Sequence, residues 1–229
     1  SLISEPVGPL STDLELYNAM VEATDTEIGR VISSIPEDVL ARTTIVYLSD
    51  NGTPNFGIAS PWDSGKGKGT LYEGGVNVPM IVTGPHVASP GRTSDALVGF
   101  TDIFPTIAEV AGVSVDTLEQ PIDGVSFLSL LQDPEAEPVR QMVYSEMFYP
   151  NGGPPHEFHN RMVTDGRWKL IRREEGSSVT EELYWMPSAL WLESDDLMSE
   201  VGDSSSVAAA YESLSVELDA VGEELQFTH

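Results

Sequence analysis

Residues 43–75 read TTIVYLSDNGTPNFGIASPWDSGKGKGTLYEGG. Thr43 to Leu48 is rich in β-branched residues and carries no charge, which predicts a strand buried on both faces of a parallel sheet. The strand runs into Asp50-Asn51-Gly52. In open α/β sheets ligands bind beyond the carboxyl ends of strands, so an acid and an amide stand where such a fold does its chemistry. The glycine-rich run that follows holds Lys66 and Lys68, and the only other lysine in the 229 residues is Lys169. Glycines let a backbone approach a ligand closely, and a lysine between them is a mobile point charge suited to a tetrahedral oxyanion. The run is not a Walker loop, because Lys68-Gly69-Thr70 breaks the Gly-Lys-Ser/Thr ending.

The flanking segments extend the pattern. Upstream, TDLELYNAMVEATDTEIGRVISSIP (residues 12–36) predicts a helix. Thr12 and Glu15 form a capping box, and Leu14, Tyr17, Val21, Thr24, Ile28, Val31 and Ile35 recur at three and four to give one inward face. Pro36 closes it. Downstream, Val78 to Pro85 predicts a second buried strand. TDIFPTIAEVAG (residues 101–112) predicts a short helix with Ile103, Phe104, Ile107 and Val110 inward and Gly112 as its stop. Strand and helix alternate, which predicts an α/β sheet sandwiched by helices. After residue 138 the texture changes. RQMVYSEMFY, NRMVTDGRWKLIRRE and EELYWM predict short strands of a small antiparallel sheet, and an amphipathic helix closes the chain. The expected boundaries are 1–138 for the α/β portion and 139–229 for the C-terminal subdomain.

Composition limits the partners. Asp plus Glu number 37 against 11 Lys plus Arg, a net charge of -26. Such a field repels nucleic acid and anionic membranes. No apolar run approaches bilayer length, and the first residues lack the basic and apolar regions of a leader. Cysteine is absent, which excludes disulfides, zinc-thiolate sites and a cysteine nucleophile within the chain.

Asp50 and Asn51 offer two oxygen donors from adjacent residues, which suits a hard cation such as calcium or magnesium. The same residues also read as an ordinary Asp-Asn-Gly turn. His156 and His159, in GGPPHEFHN, are spaced as a metal pair, but a Pro-flanked loop without a third ligand fits a polar surface loop better.

Taken together, SDNG, GKGTLYEGGVNVPMIV, TDIFPTIAEVAGV with DGVSFLSLL, DGRWKLIRR and ELY resemble, in order and spacing, the C-terminal half of a sulfatase of the arylsulfatase type. The resemblance implies part of an alkaline-phosphatase-like α/β fold and the hydrolysis of sulfate esters. It further implies a divalent cation, usually calcium, and a formylglycine made from a Cys or Ser in a Cys/Ser-x-Pro-x-Arg motif. Residue by residue, it makes Asp50 and Asn51 the second pair of metal ligands and Lys68 the contact to the substrate sulfate. His156 and His159 would border the substrate pocket. It gives Lys66 no role, and none of His86, His156, His159 and His229 matches the family's lysine and histidine positions. The formylglycine motif, the other metal ligands and the family's further lysine and histidine belong to an N-terminal half upstream of the first helix.

The expected partners are therefore a sulfate-ester small molecule or sulfated glycan, and that N-terminal half or another copy of the chain. No nucleic acid and no membrane span are expected, and a soluble, periplasmic or secreted setting follows from the resemblance. Without the nucleophile the chain alone is expected to be inactive. A non-catalytic remnant used for binding or structure is the alternative, as is a phosphatase or phosphonate hydrolase of the same superfamily. The retention of Asp50, Asn51 and Lys68 together argues for the sulfatase reading.

Overall fold

The computed structural model describes residues 2–60, 62–115, 118–187 and 192–226. Helix α1 (Asp13–Ser33) starts as its capping box requires. The Thr12 hydroxyl accepts the Glu15 amide, and the Glu15 carboxylate accepts the Thr12 N–H at 2.7 Å. Pro36 then caps a short helix, α2 (Glu37–Leu40). The expected inward face of α1 is not buried: Leu14, Val21 and Val31 are each about half exposed, and no residue of the helix is buried. Periodicity identifies the apolar stripe but not what lies against it. Here the packing is slight, with Tyr17 meeting Phe56 edge-on at 6.0 Å.

Strands β1 (Ile45–Leu48) and β2 (Met80–Thr83) pair directly, with Ile45 opposite Thr83 and Leu48 opposite Met80. The pair is antiparallel, which corrects the parallel arrangement expected from the apolar runs. A parallel pair needs a long crossover, usually helical. Among the described residues of this connection the only α-helix is the four-residue α3 (Glu73–Val76), and the chain folds back at one end. Nor are the strands buried on both faces, since Tyr47 is 42% and Ile81 61% exposed.

Helix α4 (Ile103–Val110) ends at Gly112, whose φ of 73° suits a glycine stop. Its buried side also differs from expectation. Phe104 and Ile107 are about half exposed, while Asp102, Pro105 and Thr106 face inward. A polar knot fixes this orientation. Asp102, fully buried, accepts the amides of Gly99 (2.6 Å) and Val125 (2.7 Å) and the Arg140 Nε (2.9 Å). The Thr106 hydroxyl donates to the Asp102 carbonyl (2.6 Å) and accepts the Phe127 amide (3.0 Å). The knot ties α4 to the start of α5 (Leu128–Gln132) and to the segment entering the second sheet.

That sheet is an antiparallel meander of β3 (Val143–Tyr149), β4 (Phe158–Thr164), β5 (Trp168–Glu175) and β6 (Ser178–Trp185), in that order. Alternate residues point to opposite faces. On one face Val163, Leu170 and Leu183 pack against Val207, Leu214 and Leu218 of α6 (Ser205–Gln226). On the other, Met162, Ile171 and Tyr184 receive Leu71 from the lysine loop. The meander is thus a layer between the last helix and the loop that carries the lysines. Among the described residues no helix is long and apolar enough to cross a membrane.

Candidate functional site

The strand end and the lysine loop are stitched together by backbone. The Gly52 amide donates to the Gly75 carbonyl (3.1 Å), and the Lys68 amide to the Thr53 carbonyl (2.8 Å). Glycine makes the approach possible. A Cβ on Gly52 would stand 2.2 Å from the Gly74 carbonyl oxygen, and one on Gly75 would stand 2.2 Å from that of Thr70. Gly69, at φ 81°, turns the chain immediately after Lys68. Asp50 and Lys68 are exposed. The Asn51 Nδ2 donates to the Gly52 carbonyl (3.2 Å), which leaves Oδ1 as that side chain's acceptor. Asp50, Asn51, Gly69 and Thr70 line one broad open cleft.

The donor set fits a hard cation in part. Asp50 and Asn51 present two donor groups with at most three side-chain oxygens between them, against the roughly six to eight that calcium takes. Among the described residues no group of three or more His, Asp or Glu comes together as a metal site.

The other two lysines are held inward. The Lys66 Nζ lies 4.6 Å from the Tyr72 ring centroid and 4.8 Å from that of Tyr184, a cation between two π faces. Both tyrosine hydroxyls donate to the same Glu182 oxygen, at 2.7 and 2.9 Å, and Arg173 donates to Glu182 and to the Tyr72 oxygen. Burial pushes the Tyr184 hydroxyl well above the ordinary tyrosine value, and its bonds to Tyr72 and Glu182 add to the rise. Burial also works to raise the Glu182 carboxyl, but hydrogen bonds from Arg173, Tyr72 and Tyr184 outweigh it and hold the group below its usual range.

Lys169, on β5, is completely buried. It pairs with Glu73, donates to Glu193 (3.2 Å) and to the Leu71 carbonyl (3.3 Å), and so uses all three donors of its ammonium. Glu193 also accepts the Glu73 amide (2.6 Å), and Glu73 accepts the Asn77 side-chain amide (2.9 Å). Sequence reasoning missed this cluster. The available signal was a lone lysine two residues before Ile171, and so on the same strand face, between Trp168 and Leu170.

The two histidines do not share a loop as expected. His159 lies within β4, where its Nε2 meets Glu146 at 2.7 Å, and Glu146 also accepts the Tyr144 hydroxyl (2.8 Å). His156 precedes the strand, with ring centroids 5.5 Å from His159 and 4.8 Å from Phe148. Its Nδ1 is buried without a hydrogen-bond partner.

Known proteins resemble the chain in sequence and in fold. A family model described as Sulfatase matches residues 8–113, and one described as N-sulphoglucosamine sulphohydrolase, C-terminal, matches residues 66–190. An ulvan-active sulfatase of Formosa agariphila is 31% identical over 166 residues, which cover 72% of this chain and 30% of that protein. Arylsulfatase K of Xenopus laevis is 30% identical over 180 residues, covering 75% of this chain and 31% of the relative. The chain thus spans about a third of the length of the curated relatives it matches. A solved 2-O GAG sulfatase superposes on 92% of this chain and 41% of its own, with a TM-score of 0.63 at 24% identity, a likeness of fold. With the C-terminal sulphohydrolase model matching more than half of its residues, on a fold that a solved sulfatase shares, the chain belongs to the sulfatase family.

Proposed function

We propose that this chain supplies one side of a sulfate-ester hydrolase site. Asp50 and Asn51 act as two ligands of a divalent cation, calcium foremost, and Lys68 is the ammonium that contacts the sulfate. Residues 1–138 are read as the C-terminal portion of the catalytic α/β domain and residues 139–229 as its subdomain. The observation that carries the reading is the bond from the Lys68 amide to the Thr53 carbonyl, which fixes the lysine's backbone beside the Asp50-Asn51-Gly52 turn.

When bound, the cation and an upstream formylglycine would supply charge stabilisation and a covalent route. Lys68 offsets negative charge that develops on the sulfate and the leaving oxygen. Asp50 and the Asn51 Oδ1 would hold the cation. His156 and His159 are candidate contacts to the alcohol side of the ester. A sulfated polysaccharide is the preferred substrate class, in line with the ulvan-active relative. A periplasmic or secreted setting suits such a substrate.

Hydrolysis of a chromogenic aryl sulfate tests the assignment. The 229-residue chain alone is expected to give no turnover, because the covalent route is not among its residues. A polypeptide that joins it to a segment with the formylglycine motif is expected to hydrolyse the sulfate in preference to the matching phosphate ester. Turnover by the chain alone, abolished in Lys68→Ala, would contradict the division of the site, and preference for the phosphate would contradict the substrate class.

A further inference from the structure

The geometry points to Lys169 as a positioning residue that seats the Lys68 loop on the four-stranded sheet, with Lys66 as its second anchor. The inference rests on the reading of Lys68 as the sulfate contact and explains how that contact is held. Lys68 itself is exposed and sits between Gly67 and Gly69, where the backbone has little intrinsic preference. Something outside the run has to fix it. Besides the Lys68–Thr53 backbone bond, two connections do so from opposite directions.

From the sheet, the Lys169 ammonium reaches into the loop and binds the Leu71 carbonyl and the Glu73 carboxylate, three and five residues after Lys68. Glu193 closes the cluster by accepting from both Lys169 and the Glu73 amide. From the loop, Lys66 reaches out to the sheet and lodges against Tyr72 and Tyr184. The Tyr184 hydroxyl is in turn fixed by Glu182 on β6. Leu71, 1% exposed, fills the apolar space between these two polar anchors. Lys68 is therefore flanked on both sides by residues bound to the meander. A lysine in a water-free setting demands anionic and carbonyl partners at fixed positions, so the Lys169 cluster has few alternative arrangements. This also accounts for the crowding of lysines in a chain that otherwise avoids them: one meets the substrate and two set its place.

With three lysines in the chain, lysine-selective NMR labelling resolves the parts. In the wild type, the Lys66 ε-methylene is expected upfield of that of Lys68, under the ring currents of Tyr72 and Tyr184. In Lys169→Met this displacement should collapse toward the Lys68 value while the α6 amides keep their wild-type shifts, and Lys169→Arg should restore part of it. Glu193→Gln preserves side-chain shape and is read the same way if Lys169→Met does not fold. A folded variant of either kind with an unchanged Lys66 resonance would overturn the proposal, as would loss of the α6 shifts in both. Titration with inorganic sulfate separates the two claims. The Lys68 resonance should move in the wild type, and in Lys169→Met the midpoint should rise at least tenfold. A Lys68 resonance indifferent to sulfate in the wild type would contradict the sulfate reading and leave the seating result to stand by itself. An equal midpoint in both proteins would overturn the positioning role.

Discussion

Glu182 takes hydrogen bonds from two tyrosine hydroxyls and a guanidinium, and the Lys66 ammonium lies over the same two rings. These bonds favour the charged carboxylate and hold it below its ordinary value despite burial. A group with a depressed folded-state value contributes stability above the unfolded value, and loses it as pH falls through the folded one. Glu182→Gln should therefore melt below the wild type at pH 7. The gap should narrow below the ordinary glutamate value of about 4.3 and close at lower pH, as thermal unfolding across a pH series would record. A gap independent of pH would mean that shape, not charge, sets the contribution. Lys66, Lys68 and Lys169 share one side chain, and their surroundings assign them to a π cage, solvent and a carboxylate cluster. Sequence singled out Lys68 as a candidate, because glycines flank it in a recognisable block. It left Lys66 without a role and passed over Lys169, since both depend on partners brought from distant segments: Tyr184, Glu73 and Glu193.

Among the elements, local signals were readable and contacts between elements were not. The capping box of α1 and the glycine stop of α4 depend on residues within a few positions, and both stand as the sequence predicts. The inward faces assigned to α1 and α4 do not. An apolar stripe records a preference for burial, while orientation is decided by the strongest constraint nearby. For α4 that constraint is Asp102, an uncompensated charge unless Arg140 meets it. Arg140→Leu should accordingly cost about 3–5 kcal/mol, the range for a buried pair broken from one side. Chemical denaturation would measure the loss. A midpoint within error of the wild type would show that the two amides alone suffice for Asp102. The antiparallel pairing of β1 and β2 was hidden for a similar reason. Both strands are apolar enough for a parallel sheet, and the connection between them, which carries a helix of only four residues, decides the direction.

At the scale of the molecule, acidity and layering matter most. A net charge of -26 makes the compact state repel itself, and salt screens that repulsion over a Debye length of about 8 Å at physiological strength. The melting temperature should rise from low salt to molar sodium chloride. A flat or falling series would mean that the paired acids, such as Glu73, Glu182 and Asp102, already carry the balance. The α/β class and the antiparallel C-terminal sheet were legible, because strand runs and turn residues alternate visibly. The docking of that sheet against the lysine loop was not, and it makes the C-terminal layer part of the candidate site. In the proposed function Lys68 is the sulfate contact, held by that layer. The most direct measurement is kcat/KM for a sulfate ester, with Lys68→Ala introduced into a polypeptide that carries both this chain and the formylglycine segment. A loss of about 10²–10³-fold is predicted, the range for removing one transition-state donor, with the circular dichroism spectrum unchanged. Retention of wild-type kcat/KM in Lys68→Ala would contradict it.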